Sequence, residues 1–387
     1  MRLLQKVTYA YLLSSILIGK MLCRILIILA PLLRKKPTKD FLFLPYNHKD
    51  NIGCQVRVQA YLPLLLAGGY SFDVHYISDT KHFDWVFHQA KQTLIREYLF
   101  YNKIFWSRIL WCYRSSRYKT VFFQRGLFPE FYDQTGTPLE KLLRAYNKNI
   151  IVDYFDADYV RNVKLILSIV KECDTVAVVN DFLKEFFLKH HKHVVINDLS
   201  IDTHLYKIKG DFSIHSPARL FWTGSPDNLQ HIRDLLPILR EVNEKHPIKL
   251  ILITRAIDDI QDSFVEHHLW SSDSFNDIII NCDIALYPAP TQDDISMGKV
   301  AYKCLEYACC KLPIIASPYG LTSRFTKDDV LIAKTKEEWR QNIEELIKNQ
   351  PLREILAQNA YQKVIQYHDT EATYKNFLNI LTEERKG

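Results

Sequence analysis

Residues 283–319 constrain the fold more than any other part of the chain. The stretch begins with a short apolar run at 284–287 and ends with a second, β-branched run at 314–317. A polar loop at 291–296 and a segment of helical character that begins near Gly298 separate the two runs. Strand, loop, helix and strand make a βαβ unit, which belongs to a parallel sheet and places ligands at the carboxyl ends of its strands. The stretch therefore predicts an α/β fold with a binding site in this segment.

Charged residues follow the predicted start of this helix. Gly298 and Lys299 stand at the helix N-terminus, where unpaired N–H groups and the helix dipole favour an anion. Lys303 and Glu306 follow at helical spacing, so they are expected on the same face as Lys299. Such a face can hold a diphosphate near the helix start and a hydroxylated ring near Glu306. A solvated surface helix explains the same spacing equally well.

The segment GKVAYKCLEYACCKLPIIASPYG at 298–320 resembles the donor-binding segment of GT-B glycosyltransferases of family four, the group 1 transferases. Glu306 corresponds to the second Glu of the family's E-x7-E pattern, which contacts the nucleotide ribose. The first Glu falls on Gly298, so the contacts to the sugar hydroxyls differ from the family pattern. A G-K-x-x-x-K sub-branch fits better, and it implies that Lys299 and Lys303 are the catalytic charges that neutralise the donor diphosphate.

The first half of the chain resembles the other domain of these transferases. A strand at 41–45, a helix at 53–67 and a strand at 72–77 form a βαβ unit whose first loop faces the interdomain cleft in the family. Two later strands, at 120–124 and 150–155, end beside polar residues. The resemblance implies five acceptor-side residues: His48, Gly53, Arg57, Arg125 and Asp156. An ordinary loop histidine is the alternative interpretation of His48.

Asp156 and Asp158 form an Asp-x-Asp pair after the strand at 150–155. In GT-A glycosyltransferases such a pair holds Mn²⁺ or Mg²⁺ against the nucleotide diphosphate, because these hard cations prefer oxygen ligands. The surrounding VDYFDAD instead resembles a strand end in the first domain of GT-B enzymes. We therefore predict no metal and no other cofactor, with metal binding at the pair as the alternative.

The second half restarts the alternation of strands and helices after a charged linker at 207–217. A strand at 219–223 leads into the turn Gly224-Ser225, and Asn228 is expected to cap the following helix. In the family the loop after this strand approaches the donor, and a basic residue further on helps to neutralise the diphosphate. The implied donor-binding residues are Gly224, Ser225, Arg255, Gly298, Lys299, Lys303 and Glu306.

The first 37 residues have a different character. Apolar runs at 7–18 and 25–33 are separated by Lys20 and Arg24, and the four basic residues of positions 1–24 fall within one narrow sector of a helix. An apolar helix with one basic stripe predicts a segment that lies in a membrane interface, where basic side chains reach the headgroups. A soluble helix packed on the body is one alternative. A spanning helix, which needs about 20 apolar residues, is the other.

Residues 84–118 are rich in aromatic and basic side chains and predict one long helix or two. The set comprises Trp85, Tyr98, Trp106 and Trp111 with Arg96, Lys103, Arg108 and Arg114. Aromatic side chains with a polar edge suit a membrane interface. A helix that covers the sheet and turns a basic face outward is the commoner alternative.

Composition narrows the class of protein. The 387 residues leave room for two domains, and 48% hydrophobic with 24% charged residues indicates a globular chain. The net charge of +6 suits an anionic ligand or a membrane surface. No sequence signature of a nucleic-acid-binding module occurs, so nucleic acid is not an expected partner. The eight cysteines lack metal-ligand spacing and predict reduced thiols in a cytosolic compartment.

The sequence thus predicts two Rossmann-like α/β domains that face a cleft, the GT-B fold, with an N-terminal membrane-associated segment. The expected boundaries are a membrane segment at 1–37, an acceptor domain at 38–206, a donor domain at 207–366 and a final helix at 367–387 that returns to the first domain. The resemblance implies retaining transfer of a sugar from a nucleotide-sugar to a glycan or lipid-linked acceptor. The transfer is expected at the cytoplasmic face of a membrane, to which the protein would attach as a peripheral or monotopic protein. The rivals are a non-catalytic scaffold on the same fold and a transferase of another nucleotide-activated group.

Overall fold

A computed structural model describes residues 2–88, 94–128, 138–256, 260–289 and 293–383. The chain divides into two compact units, residues 1–197 with 374–387, and residues 198–373. Each unit contains one six-stranded sheet, and every strand pairing in both sheets is parallel among the residues described. The predicted pair of Rossmann-like sheets is confirmed. The division falls nine residues before the expected boundary, so the predicted linker at 207–217 lies within the second unit.

The sheet of the first unit has the order β2-β1-β3-β4-β5-β6. Its strands are β1 Lys39–Leu44, β2 Phe72–Val74, β3 Tyr118–Gln124, β4 Ile150–Tyr154, β5 Thr175–Val178 and β6 Val194–Ile196. The direction of strand addition reverses between β1 and β3, which places a crevice at their carboxyl ends. β4 and β5 are buried along their whole length, as expected of parallel strands covered on both faces.

The sheet of the second unit has the order β12-β11-β10-β7-β8-β9. Its strands are β7 Ala218–Thr223, β8 Ile248–Thr254, β9 Val265–Leu269, β10 Ile284–Tyr287, β11 Ile314–Ala316 and β12 Leu331–Ile332. Here the reversal lies between β10 and β7, so the crevice lies beside the segment that the sequence singled out. β9 was not predicted, because the run VEHHL carries three charged or titratable residues and lies half-exposed at the sheet edge.

Helices cover both sheets. Those of the first unit are α1 Arg2–Leu33, α2 Ile52–Arg57, α3 Leu62–Ala67, α4 Thr80–Phe87, α5 Leu94–Arg114, α6 Leu139–Tyr146, α7 Tyr159–Val170 and α8 Asp181–Leu188. Those that follow are α9 Leu229–Lys245, α10 Ser272–Ile279, α11 Asp294–Met297, α12 Tyr302–Cys309, α13 Lys336–Lys348, α14 Gln350–Tyr367 and α15 Thr370–Thr382. From Tyr374 onward α15 belongs to the first unit, where Phe377 is buried against the rings of Tyr61 and Phe122.

Three local predictions were wrong. The helix expected at 53–67 is α2 and α3 separated by a short 3-10 turn, because Pro63 lacks an N–H and is accepted only in the first turn of a new helix. Asn228 does not cap α9; its amide donates to Ser225 Oγ at 2.9 Å inside a preceding 3-10 turn. Arg108 does not belong to an aromatic-basic surface, because it is buried and donates to the carbonyl of Pro45 at 2.6 Å.

The segment 84–118 contains the end of α4 and the whole of α5, with residues 89–93 outside the described part of the chain. Two helices, rather than one, therefore occupy it. Of the polar loop expected at 291–296, residues 291 and 292 also lie outside the described part.

α1 packs on the first unit through one narrow face. The indole N–H of Trp106 on α5 donates to Ser15 Oγ at 2.7 Å, and the Tyr146 hydroxyl at the end of α6 donates to the Leu26 carbonyl at 3.0 Å. Between them, a Cβ placed on Gly19 would overlap the ring of Phe105, so the glycine lets α1 and α5 approach closely. By length and composition alone, Leu3–Leu33 could cross a membrane.

Candidate functional site

The crevice of the second unit lies at the carboxyl ends of β7 and β10. β7 ends at Thr223 and is followed by Gly224, while the loop after β10 is tied to the next strand by the Ala289 N–H, which donates to Ser317 Oγ at 2.9 Å. The side chain of Lys303 on α12 reaches Gly224. The structure therefore brings the first turn after β7 and the predicted donor helix to the same edge of one sheet.

Lys303 on α12 reaches the end of β7. Its ammonium lies 4.6 Å from the centroid of the buried Trp222 ring, a cation–π contact. A Cβ built on Gly224 would lie 2.5 Å from Lys303 Nζ and from the Trp222 ring, so only glycine leaves room for this arrangement. Burial lowers the pKa of Lys303 to about 8, and the weaker effect of Glu306 opposes that shift. Gly224 and Lys303, two of the residues predicted to bind the donor, therefore lie side by side in the structure.

Glu306 lies one turn further along α12. The Tyr206 hydroxyl donates to Glu306 Oε1 at 3.2 Å, and Tyr206 also interacts with Tyr302. Burial raises the pKa of Glu306 to about 7, whereas the Tyr206 hydrogen bond and the Lys303 charge act in the opposite direction. Groups whose pKa values are strongly shifted by burial cluster at functional sites, and a solvated surface helix would not shift them in this way.

The predicted helix start at Gly298 was wrong. Gly298 ends α11, and its N–H donates to the Asp294 carbonyl at 2.8 Å, so it is not open to a phosphate. α12 begins at Tyr302, and Lys299 lies exposed on the connecting segment rather than one turn before Lys303 on the same helix. Asp293 explains the difference, because its side chain accepts from the Ser296 N–H at 2.7 Å and caps a separate helix.

Two residues of this site were missed from the sequence. His231 on α9 has its pKa lowered by burial first and then by the charges of Lys303 and Lys299, and no hydrogen-bond partner of its Nδ1 atom is found among the described residues. Tyr206 precedes the sheet and reaches Glu306 across 100 residues of sequence. No local pattern marks either residue, because only the folded sheet brings these segments together.

The remaining donor candidates lie at the same edge. Ser225 is exposed and accepts a hydrogen bond from Asn228. Arg255 is exposed immediately after β8, the neighbour of β7, with its guanidinium 5.9 Å from the centroid of the Trp270 ring. Both residues follow strands that end at this edge of the sheet, Ser225 after β7 and Arg255 after β8.

The equivalent edge of the first unit carries a cluster around Arg125. Arg125 Nη1 donates to Asp158 Oδ1 at 3.0 Å, its Nη2 pairs with Asp156, and its guanidinium lies 4.6 Å from the centroid of the Phe155 ring. The residue has φ 59°, a left-handed conformation that costs on the order of 1 kcal/mol in a non-glycine residue. The ion pairs and ring contacts hold this conformation, so both carboxylates of the Asp-x-Asp pair are engaged by one guanidinium.

Gly53 and Arg57 occupy different environments. A Cβ on Gly53 would lie 3.0 Å from the Phe155 ring, which puts the glycine inside the Arg125 cluster. Arg57 is fully buried, and its Nε donates to Asp153 Oδ2 at 3.0 Å. The structure thus places Arg57 in the core of the unit rather than at the surface where an acceptor would bind.

His48 follows β1 at the same edge and is ordered by a short relay. Its Nδ1 lies 3.2 Å from Thr80 Oγ1, and the Thr80 hydroxyl donates to Asp50. These contacts fix the orientation of the His48 ring beside the carboxyl end of β1.

Residues 255–379 match the sequence model of the family described as Glycosyl transferase-like. The matched residues lie largely within the second unit, which is similar to a glycosyl transferase-like domain. The Lys303 and Glu306 site lies inside the matched region, and no curated protein matches the chain in sequence.

Solved structures show which fold the chain resembles. Sucrose-phosphate synthase from Thermosynechococcus elongatus is 12% identical with a TM-score of 0.62, and the match covers 88% of this chain and 98% of that one. The lipopolysaccharide outer core galactosyltransferase WaaB is 12% identical with a TM-score of 0.59 over 88% and 99% of the two chains. HepE from Anabaena in complex with UDP-glucose is 12% identical with a TM-score of 0.57 over 89% and 99%.

TarM is longer, and the match spans 58% of its length and 71% of this chain, with 10% identity and a TM-score of 0.53. These likenesses confirm the predicted GT-B fold.

Proposed function

We propose that the protein is a glycosyltransferase that moves a sugar from a nucleotide-sugar to a hydroxyl group of a membrane-associated or cell-surface glycan. The observation that carries the proposal is the half-buried Lys303 and Glu306 of α12, with Lys303 set against Trp222 and Gly224 at the switch point of a glycosyl transferase-like domain. Solved neighbours include HepE in complex with UDP-glucose and an O-GlcNAc transferase in complex with UDP and GlcNAc. These titles support a nucleoside diphosphate-sugar as the donor.

Transfer of the sugar requires a group that stabilises the departing nucleoside diphosphate. Lys303 supplies a positive charge at the crevice, and its interaction with the diphosphate should strengthen as negative charge develops there in the transition state. Glu306 accepts hydrogen bonds from hydroxyl groups of the donor, while Lys299 and Arg255 add positive charge at the rim. We further propose retention at the anomeric carbon, as the resemblance implies, which NMR of the product would determine.

A donor screen tests the function directly. The purified full chain should gain thermal stability with one or more nucleoside diphosphate-sugars, and it should then release the nucleoside diphosphate in the presence of a glycan acceptor. Binding without any transfer or hydrolysis would favour the non-catalytic scaffold. Stabilisation by a nucleotide-activated polyol, with no response to sugars, would favour a transferase of another group.

Independence from metal ions is the first prediction. The two carboxylates that could hold Mn²⁺ or Mg²⁺ are engaged by Arg125 instead, and Lys303 can supply the charge that a metal provides elsewhere. Full activity is therefore expected in excess chelator. Activity that disappears in chelator and returns with Mn²⁺ would assign the Asp156 and Asp158 pair to a metal.

A bell-shaped pH dependence is the second prediction. Glu306 becomes a carboxylate as pH rises through about 7, and Lys303 loses its charge as pH rises through about 8. If both charged forms are required, kcat/KM should peak between these values. Glu306→Gln should remove the acidic limb, and Lys303→Arg should shift the basic limb upward, because arginine stays charged. A profile that is flat from pH 6 to pH 9 in the wild type would contradict both assignments.

We also propose a location at the cytoplasmic face of a membrane, attached through residues 1–36. Two observations support this location. α1 is long and apolar, and all eight cysteines are buried free thiols, which suits a reducing compartment.

A further inference from the structure

The outward face of α1 is the largest run of exposed apolar side chains along the described residues. It includes Leu3, Leu4, Val7, Tyr11, Leu17, Ile18, Met21, Ile25, Ile28 and Leu32. Leu17, Ile28 and Leu32 are 61%, 76% and 82% exposed. Soluble proteins rarely leave so large a contiguous apolar surface in water, so a partner is expected to cover it.

The opposite face of the same helix is held by the globular body over most of its length. The ring of Tyr9 lies 5.2 Å from that of Tyr98 near one end, and the backbone N–H of Lys35 donates to Ser116 Oγ at 3.2 Å beyond the other. The contacts of Ser15, Gly19 and Leu26 described above lie between these points. A helix attached to α5 and α6 from Tyr9 onward cannot leave the body to cross a bilayer without breaking all of them.

Basic residues lie along one flank of the exposed face. At 100° per residue, Lys6 and Arg24 point in the same direction, roughly a third of a turn from the packed face and beside the apolar one. Both side chains are exposed. Lys36 is also exposed just after the helix. An apolar face bordered by positive charge is complementary to a surface with an apolar interior and anionic headgroups.

The same surface continues onto α5. Leu99 and Leu110 are 50% and 42% exposed, and they lie on the helical face that also carries Trp106, the residue that contacts α1. The apolar surface therefore belongs to two adjacent helices rather than to a free N-terminal segment.

We propose that α1 lies in the plane of an anionic bilayer and does not cross it. Its outward face enters the headgroup and acyl boundary, Lys6 and Arg24 contact the anionic headgroups, and the packed face stays on the body. Both ends of α1 then remain on the same side of the membrane. This inference does not depend on the proposed sugar transfer, since vesicle binding needs no donor.

Vesicle co-sedimentation of the purified full chain tests the surface. The protein should sediment with vesicles of phosphatidylcholine containing phosphatidylglycerol. The double variant Leu17→Glu with Ile28→Glu should lose binding at least about tenfold, because it places charges in the acyl boundary. A control variant carries the same two changes at exposed apolar positions elsewhere, Leu188→Glu with Ile355→Glu. Loss of binding in the control alone, or equal binding by the two variants, would overturn the proposal.

Charge preference is tested with a second pair of variants. Lys6→Gln with Arg24→Gln should weaken binding to anionic vesicles about 30-fold, since each basic residue near an anionic surface contributes a factor of about five. Lys327→Gln with Lys336→Gln, two exposed lysines of the second unit, should not. If the first pair binds like the wild type, the basic flank does not face the headgroups.

Topology separates an in-plane helix from a spanning one. Because the eight native cysteines are buried, a single Lys6→Cys change provides the reactive thiol near the start of α1. With protein added outside sealed vesicles, a membrane-impermeant maleimide should label this thiol without detergent. Protection until detergent is added would show that α1 spans.

The oligomeric state tests the other possible cover of this face. A soluble dimer that does not bind vesicles and that dissociates in the Leu17→Glu with Ile28→Glu variant would show that a second copy covers the face instead.

Discussion

Replacement of Lys303 by alanine should lower kcat by about 100-fold or more while the protein stays folded, by analogy with the loss of a single electrostatic group that stabilises transition-state charge. The ammonium is held against the Trp222 ring at the crevice, in the room that Gly224 leaves because it has no Cβ. Its low pKa means that the charge is costly to bury without a ligand, so a bound diphosphate should be its natural partner. Steady-state kinetics with the donor identified by the thermal screen provides the measurement.

Glu306→Gln should behave differently from Lys303→Ala. Glu306 accepts a hydrogen bond from Tyr206 and, in the proposal, from donor hydroxyls in both the ground state and the transition state. Its replacement should therefore raise KM for the donor more than it lowers kcat. A reversed pattern, with KM affected by Lys303 and kcat by Glu306, would exchange the two roles.

Lys363 offers a matched control. Its ammonium also lies over an aromatic ring, 5.8 Å from the centroid of Tyr367 on the same helix. Lys363→Ala should leave the kinetics unchanged. If Lys303→Ala were as silent as this control, the donor-site assignment would be wrong.

Lys299→Ala tests a residue whose position in the structure differs from the position predicted from the sequence. From the sequence, Lys299 and Lys303 were expected to act alike on one helix face, but Lys299 lies on the exposed segment before α12. Lys299→Ala should therefore lower kcat less than Lys303→Ala does, because solvent screens an exposed charge more than a half-buried one. The same steady-state kinetics provides the measurement.

The strands of the site were predictable, whereas their neighbours were not. β10 and β11 are short, buried apolar runs bounded by proline, and such runs are visible without a structure. The position of β7 beside β10 depends on strand order, which no local pattern encodes. Lys303 therefore looked like one of two similar lysines until Trp222 and Gly224 were placed beside it.

The start of α12 illustrates the limit of local signals. Glycine followed by lysine suits a phosphate-binding helix start, yet Asp293 five residues earlier is a stronger N-cap and begins a separate short helix. Gly320 then fixes the segment before α12, because its carbonyl accepts from the Ala301 N–H at 2.6 Å. That contact joins positions 19 residues apart and could not be predicted from helical spacing.

Arg57 is expected to stabilise the folded first unit rather than to bind the acceptor. It matched the family position of an acceptor-side arginine, but its guanidinium and the Asp153 carboxylate are fully buried together. Removal of one partner from a buried ion pair leaves an uncompensated charge and costs about 3–5 kcal/mol. Arg57→Met should therefore lower the thermal midpoint of the first unit by roughly 10 °C, given about 2–4 °C per kcal/mol for a unit of this size. Differential scanning calorimetry provides the measurement.

The exposed pair of Lys39 and Asp73 is the control for Arg57. Their side chains are 44% and 31% exposed, so Lys39→Met should cost no more than about 1 kcal/mol. Arg57→Met with Asp153→Leu should recover part of the lost stability, because the double change removes both buried charges. An acceptor-binding role predicts the opposite pattern: an unchanged midpoint in Arg57→Met and a raised KM for the acceptor. Because Arg57 also holds the Asn197 carbonyl at the end of the first unit, a stability loss would be the direct consequence of the contacts seen around it.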